Sequence, residues 1–224
     1  MYELFKETRL SDKEKSLEFA EESYNLAKSI NDTLWVVKTA RAAGWLRYSL
    51  GQSSKAISYY EEALDLSKQN NYSTQEKYLL NNLGLVYYDL AQYDKSLEYY
   101  FATLSIREQE ADEVGISIVL NNIGLIYSDL GNNLEAIKYF NRALKINEKY
   151  EQVDKEAGNL INLGFCYIEL GSYDHALRYF QEVFERCGDE CPDLEQLQAF
   201  SGLGTVYYYL GEYSKAEENL LKSN

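Results

Sequence analysis

The stretch LNNLGLVYYDL, residues 80–90, returns twice with few changes, as LNNIGLIYSDL at residues 120–130 and as LINLGFCYIEL at residues 160–170. Each copy begins 40 residues after the one before it. A fixed period of roughly 20–50 residues is typical of proteins built from stacked structural repeats. We therefore expect the 224-residue chain to fold as a series of similar units.

One glycine occupies the same place in every unit. These glycines are spaced 40 residues apart along the whole chain: Gly44, Gly84, Gly124, Gly164 and Gly204. A leucine lies six residues after each of these glycines. Further along each unit, a small residue is followed four residues later by a large one. Two periodic segments per unit predict an antiparallel pair of helices, each about 27 Å long.

At these residues the chain resembles the tetratricopeptide repeat family, whose pattern has Leu-Gly, a tyrosine three residues later and Ala-x3-Phe in the second helix. Tyr87 and Tyr127 follow their glycines by three, and Ala136 precedes Phe140 by four. The unit of 40 residues is longer than the family's usual unit of about 34, and the closing proline is absent. Longer units of this kind resemble those of Pins-type scaffolds, kinesin light chains and bacterial tetratricopeptide signalling proteins. The resemblance implies an all-α, right-handed superhelical solenoid of antiparallel helix pairs.

The register of the repeats divides the chain into about five and a half units within one predicted domain. Residues 1–30 form a partial N-terminal repeat, and we expect residues 1–10 to act as a partial cap. The full repeats are predicted at residues 31–71, 72–110, 111–150, 151–190 and 191–224. Helix N-caps are predicted at Asp32, Ser73 and Asp112. Ala91 replaces the glycine that ends the other first helices, which predicts a turn that is slightly strained or differently closed.

The charge balance limits the classes of partner. The chain has 36 acidic and 22 basic residues, and its net charge is −14. Because phosphate repels such a surface, we expect no nucleic acid partner. No apolar run reaches the roughly 18 residues that a membrane helix needs, and the first residues lack the apolar core of a signal peptide. The sequence favours a cytoplasmic location, and a periplasmic one would require a signal peptide that has been removed.

The cysteines and the single histidine do not form a metal motif. Cys166, Cys187, Cys191 and His175 lack the spacing of a zinc site, so we expect no metal and no cofactor. Cys187 and Cys191 lie close enough in sequence for a local disulfide, but free thiols are favoured, as is usual in reducing compartments. The sequence also lacks a glycine-rich phosphate loop and a nucleophile paired with a base, so the protein is predicted not to be an enzyme.

One face of the first helices is predicted to carry the binding site. At about 100° per residue the repeated glycines mark the packed side of these helices, and three rows of side chains lie opposite. The rows are amides at Asn82, Asn122 and Asn162, apolar groups at Leu85, Leu125 and Phe165, and acids at Asp89, Asp129 and Glu169. The same face includes Tyr78, Ile118 and, in the first full repeat, Trp45. In the family the first helices line the concave surface, so the resemblance implies that these rows line a groove.

The chemistry of these rows suits an extended peptide. Asparagine side chains offer donors and acceptors to a peptide backbone, and the apolar row can receive its side chains. The acids favour a partner with lysine or arginine nearby, and the face is expected to have little basic charge beyond Lys38. Structural alternatives stay open: the asparagines could bond one another, the apolar row could be buried between helices, and the acids could be a solvated surface.

Three hypotheses of function follow. The first is a non-enzymatic interaction module that binds a peptide or helical segment of another protein in its concave groove. The second is the sensory or regulatory region of a larger signalling protein, such as a histidine kinase, a cyclase or a transcription regulator. The third is self-association through the C-terminal end, where nothing in the sequence covers Leu220 and Leu221. We expect the chain to be cut from a longer protein.

Overall fold

The computed structural model describes residues 12–188 and 191–223, and this part of the chain is helical. The predicted cap in residues 1–10 lies outside the described residues. The eleven helices within the described residues are α1 (Lys13–Ser29), α2 (Thr33–Ser49), α3 (Ser53–Gln69), α4 (Ser73–Asp89), α5 (Tyr93–Gln109), α6 (Glu113–Asp129), α7 (Asn133–Lys149), α8 (Val153–Glu169), α9 (Tyr173–Cys187), α10 (Asp193–Tyr209) and α11 (Tyr213–Lys222). The predicted all-α class and the predicted helix pairs are confirmed.

The helices form two compact units. Unit 1 spans Met1–Glu110 and contains α1 to α5, and unit 2 spans Ala111–Asn224 and contains α6 to α11. Within unit 1, α2 packs on α3, α4 packs on α5, and the first helices α2 and α4 are neighbours. Within unit 2, α8 packs on its partner α9 and on the first helices α6 and α10. The single domain inferred from the sequence stays a prediction.

Four of the five repeated glycines lie against an aromatic ring of the second helix, and the fifth, Gly204, lies against Leu220. A Cβ atom placed on Gly44 would lie 2.5 Å from the ring of Tyr60, and one on Gly124 would lie 2.6 Å from the ring of Phe140. Both rings are fully buried. A residue without a side chain is therefore required wherever the second helix presses its ring onto the first.

In unit 2 one ring serves two first helices. A Cβ atom placed on Gly164 of α8 would lie 2.6 Å from the ring of Phe180, and one on Gly202 of α10 would overlap the same ring. Phe180 is fully buried. The ring therefore fixes the spacing between α8 and α10.

Two of the three predicted N-caps are confirmed. The Asp32 carboxylate accepts a hydrogen bond from the Trp35 amide at 3.1 Å, and Asp112 caps α6 in the same way. The prediction for Ser73 is wrong, because Ser73 is the first helical residue and the cap position belongs to Tyr72, whose side chain makes no cap bond.

The predicted strain at Ala91 is present. Its φ is +53°, in the left-handed region where Gly131 (φ +73°) ends the corresponding helix of unit 2. A Cβ atom in that conformation costs about 1 kcal/mol.

The preference for free thiols at Cys187 and Cys191 is wrong, because their sulfur atoms form a disulfide. The α9 helix ends at Cys187, and the chain brings the two Cα atoms to within 4.7 Å, a distance that a disulfide spans without backbone movement. Cys166 is a buried free thiol.

None of the helices in residues 12–188 and 191–223 combines the length and apolar character needed to cross a membrane. The same residues contain no cluster of three or more histidine, cysteine or acidic side chains suited to a metal ion.

Candidate functional site

A groove of about 350 Å³ lies in unit 2 between α6, α8 and α10, and one residue of α7 contributes to its lining. We call it the amide groove, because four of its side chains are asparagines. Its lining consists of Ser117, Ile118, Asn121, Leu125, Asn147, Lys155, Gly158, Asn159, Asn162 and Gln198.

The four asparagines form a hydrogen-bonded network. The Oδ1 atom of Asn121 accepts bonds from Nδ2 of Asn159 at 2.9 Å and from Nδ2 of Asn162 at 3.0 Å. The Oδ1 atom of Asn159 accepts a bond from Nδ2 of Asn147 at 2.7 Å. Each amide therefore holds the next in one orientation, which preorganises the polar surface of the groove.

The network leaves polar atoms over. The Nδ2 group of Asn121 and the Oδ1 atom of Asn162 have no partner among the described residues. The Oδ1 atom of Asn147 is buried without a hydrogen bond. A donor and an acceptor on adjacent helices match the single N–H and single C=O of a peptide unit.

The rest of the lining is nearly neutral. Ile118 is 38% exposed, and Leu125 packs against the hydrophobic core of unit 2 from the groove side. Lys155 is the charged residue of the lining, and its Nζ donates to Oε1 of Gln152 at 3.0 Å. The amide groove therefore offers apolar contact and uncharged hydrogen bonds, with one cation at its edge.

The structure places three of the predicted site residues of unit 2 in this groove: Ile118, Leu125 and Asn162. The other predicted residues of unit 2 do not line it: Asn122, Asp129, Phe165 and Glu169. Phe165 is 37% exposed and contacts the edge of the Phe180 ring, with 5.2 Å between centroids. Asp129 and Glu169 are exposed. The role of all seven in binding stays a prediction.

Sequence reasoning missed Asn121, Asn147 and Asn159. Asn121 and Asn122 are adjacent, and adjacent helical residues are separated by about 100° of rotation about the helix axis. Only one of the two side chains can therefore face the groove, and it is that of Asn121. The paired asparagines at 81–82 and 121–122 were the available signal. Asn147 lies on the second helix of its repeat, whereas the predicted site contained only residues of first helices.

The predicted residues of unit 1 are Trp45, Tyr78, Asn82, Leu85 and Asp89. Trp45 and Tyr78 are each 40% exposed, whereas Asn82 and Leu85 are half-buried. The Tyr48 hydroxyl donates a hydrogen bond to the exposed Asp89 carboxylate. Burial and this carboxylate together raise the pKa of Tyr48.

Unit 1 contains a group of cations that contradicts the expected acidic face. The guanidinium carbon of Arg41, the Nζ atom of Lys77 and the guanidinium carbon of Arg107 lie 5.4, 5.6 and 5.8 Å from the centroid of the Tyr78 ring. We call these four residues the Tyr78 cluster. The prediction of little basic charge beyond Lys38 is wrong here, because three different helices each bring a cation to the Tyr78 ring.

The sequence model of the tetratricopeptide repeat matches residues 7–69, 77–149 and 156–223. The chain belongs to the tetratricopeptide repeat family. The matched segments include every residue of the Tyr78 cluster. Two short gaps lie between them, at residues 70–76 and 150–155, and Lys155 of the amide groove lies in the second gap. No sequence among the curated proteins matches the chain.

Solved tetratricopeptide structures have the same fold. BtubC (BKLC) from P. vanneervenii superposes with a TM-score of 0.81 at 22% identity, covering 95% of this chain and 90% of that one. The signal transduction ATPase with a tetratricopeptide repeat sensor from Pyrococcus horikoshii gives 0.86 at 16% identity, covering 99% of this chain and 35% of that one. The Rap conjugation gene regulator of plasmid pLS20, in complex with the Phr* peptide, gives 0.69 at 22% identity, covering 88% and 55%. These similarities confirm the predicted all-α tetratricopeptide solenoid.

Proposed function

We propose that the protein is a non-enzymatic interaction module whose amide groove binds an extended peptide segment of a partner protein. The observation that carries this proposal is the pair of unpartnered amide groups, Nδ2 of Asn121 and Oδ1 of Asn162, in a groove with apolar lining. Together they can accept and donate the hydrogen bonds of one backbone unit, while Ile118 and Leu125 contact a side chain. Because the network already orients both amides, little conformational entropy is lost on binding.

A peptide-bound relative supports the class of ligand. The Rap regulator, which shares this fold, was solved with the Phr* peptide. The tetratricopeptide family to which the chain belongs is typically an interaction scaffold. The expected preference for basic partner residues at Asp89, Asp129 and Glu169 stays a prediction.

The test is a selection from a displayed library of random peptides about 12 residues long, followed by titration of synthetic copies. Asn162→Ala is expected to lower the affinity for the selected peptides at least about tenfold. It removes the free acceptor and the hydrogen bond that orients the Asn121 side chain. Asn25→Ala is the control, since it removes an exposed amide side chain on α1 that does not line the groove. Equal affinities for the two variants would contradict the proposal.

A second variant separates blocked binding from damaged folding. A Cβ atom placed on Gly158 meets nothing within 4 Å, and Gly158 lines the groove. Gly158→Leu is therefore expected to fill the groove and abolish peptide binding, while replacing a mid-helix glycine keeps or raises helix stability. Retained binding in a folded Gly158→Leu protein, checked by circular dichroism, would count against the groove.

The sensory hypothesis is the second candidate. It is favoured by the Pyrococcus ATPase, where a tetratricopeptide sensor forms part of a larger protein and this chain matches 35% of the length. Sequencing the coding frame beyond residue 224 tests it: an effector domain supports it, and a stop codon contradicts it.

Self-association through α11 is the third candidate. Leu221 is 70% exposed. Light scattering over a range of concentrations tests it, and a constant monomer mass would dismiss it.

A further inference from the structure

The Tyr78 cluster concentrates positive charge on one place in an acidic protein. The chain has a net charge of −14, yet helices α2, α4 and α5 each bring a cation to within 6 Å of the same ring centroid. The ring itself is 40% exposed, so the centre of the cluster is accessible from solvent.

The cluster occupies the repeat positions that form the amide groove in unit 2. Lys77, Tyr78 and Arg107 lie 40 residues before Ser117, Ile118 and Asn147, which line that groove. Arg41 lies 80 residues before Asn121, which stands at the centre of the asparagine network. The positions that carry Ser117, Ile118, Asn121 and Asn147 in unit 2 thus carry cations and an aromatic ring in unit 1, where Asn81 is a second counterpart of Asn121.

Arg41 is the cation best placed to receive a ligand. It is half-buried, forms no ion pair with a described residue, and its Nε atom is buried without a hydrogen-bond partner. Lys77 is already engaged, since its Nζ donates to Oε2 of Glu110 at 2.5 Å. A partly desolvated guanidinium without a carboxylate gains more from an incoming anion than a fully hydrated one does.

We infer that the Tyr78 cluster binds carboxylate side chains of an acidic peptide segment. The planar guanidinium of Arg41 matches the two oxygens of a carboxylate. The Tyr78 ring offers an apolar surface to the methylene groups of an aspartate or glutamate. This surface is distinct from the amide groove, so the two proposals stand or fall separately.

The test is a subtractive selection from a library of random peptides about 12 residues long, fused at their C-termini to the display protein. Peptides that bind the Arg41→Gln variant are removed first, and the remainder are selected on the wild-type chain. Fusion removes the free terminal carboxylate, so acidic side chains are the anions available. Synthetic copies with amidated C-termini are then titrated by fluorescence anisotropy.

We expect the recovered peptides to be enriched in aspartate and glutamate. Replacing their acidic residues with the corresponding amides is expected to weaken binding about 10- to 100-fold, and this comparison uses the unchanged protein. Arg41→Gln is expected to weaken the acidic peptide by a similar factor, and Arg41→Lys to restore part of the loss. Lys55→Gln is the matched control, because it removes the same charge from an exposed position in unit 1.

Three results would overturn the inference. They are recovery of no peptides, recovery of peptides whose affinity is indifferent to their acidic residues, and Arg41-dependent binding of a labelled oligonucleotide instead of an acidic peptide. Peptides from the unsubtracted library could bind Asn162→Ala more weakly than the wild-type chain but bind Arg41→Gln equally well. That result would support the amide groove as a binding site and contradict the Tyr78 cluster as one.

Discussion

The two units present different chemistry on the same scaffold. In unit 2 the groove positions carry Ser117, Ile118 and Asn147, and the lining is neutral apart from Lys155. The positions 40 residues earlier in unit 1 carry Lys77, Tyr78 and Arg107. Beneath both surfaces a glycine of the first helix contacts an aromatic ring of the second. Repetition therefore conserves the buried contact and leaves the exposed face free to differ.

This division means that stability and recognition should respond to different substitutions. Changes at the glycine and ring positions should unfold the unit that contains them, whichever ligand it binds. Changes at Arg41 or Asn162 should alter binding with little effect on the fold.

Removing a buried ring should have the largest effect. Phe180→Ala in unit 2 and Tyr60→Ala in unit 1 each remove a fully buried ring and are expected to lower the free energy of unfolding by about 3–5 kcal/mol. Both tryptophans, Trp35 and Trp45, lie in unit 1, so their fluorescence reports that unit, while circular dichroism reports all helices. Urea titrations followed by both signals measure the two effects.

The two signals should separate the variants. Phe180→Ala is expected to lower the midpoint seen by circular dichroism more than the midpoint seen by fluorescence, and Tyr60→Ala to lower the fluorescence midpoint. Coincident transitions in both variants would mean that the two units unfold together. That result would contradict the prediction that each substitution destabilises the unit that contains it.

The scaffold was predictable from the sequence because buried contacts repeat with the period of the chain. The glycine row, the helix pairs and the strained turn at Ala91 all follow from side-chain size and backbone conformation at repeated positions. The site was predictable only in part, because a shift of one residue, from Asn122 to Asn121, turns an amide by about 100° into the groove. The Tyr78 cluster was missed because its cations come from three helices and none of them repeats every 40 residues.

Breaking the ion network of unit 2 should have the next largest effect. The Nη1 atom of Arg186 lies 2.7 Å from Glu148 and 3.3 Å from Glu156, on α7 and α8, and Arg186 also binds Glu182 on its own helix. The Glu156 side chain is only 9% exposed. Arg186→Gln leaves this carboxylate without its cation and is expected to lower the free energy of unfolding by about 2 kcal/mol.

The control for this change is Arg178→Gln, at an exposed position on the same helix. It is expected to shift stability by less than about 0.5 kcal/mol. Equal midpoints for the two variants in urea would show that Arg186 contributes no more than a surface charge.

The turns that end α4 and α6 offer a smaller, reciprocal test. Ala91 and Gly131 occupy equivalent positions, and both have positive φ. Ala91→Gly removes the Cβ atom that strains the turn, and it is expected to raise the free energy of unfolding by about 0.5–1 kcal/mol. Gly131→Ala should lower the free energy of unfolding by a similar amount. Thermal unfolding followed by circular dichroism measures both, and the same sign for the two variants would contradict the interpretation of the turn.

The smallest expected effect is a pH dependence of unit 1. The Glu62 carboxylate accepts hydrogen bonds from Nζ of Lys28 at 2.8 Å and from the Tyr24 hydroxyl at 2.5 Å. Burial acts to raise the pKa of Glu62, but these two bonds outweigh it and hold the pKa below its usual value of 4.5. A carboxyl group with a lowered folded-state pKa stabilises the fold above its unfolded-state pKa, and that contribution is lost as the pH falls through the folded-state value.

Glu62→Gln should therefore reduce stability near neutral pH and have little effect at an acidic pH below the folded-state pKa of Glu62. Because the Lys28 and Glu62 side chains are 50% and 39% exposed, solvent screening keeps the difference below about 1 kcal/mol. Glu18→Gln, at an exposed position on α1, is the control and should give no difference at either pH. Tryptophan fluorescence in urea measures the effect where it is expected, in unit 1, and an undiminished difference at the lower pH would assign the loss to packing rather than to the carboxylate charge.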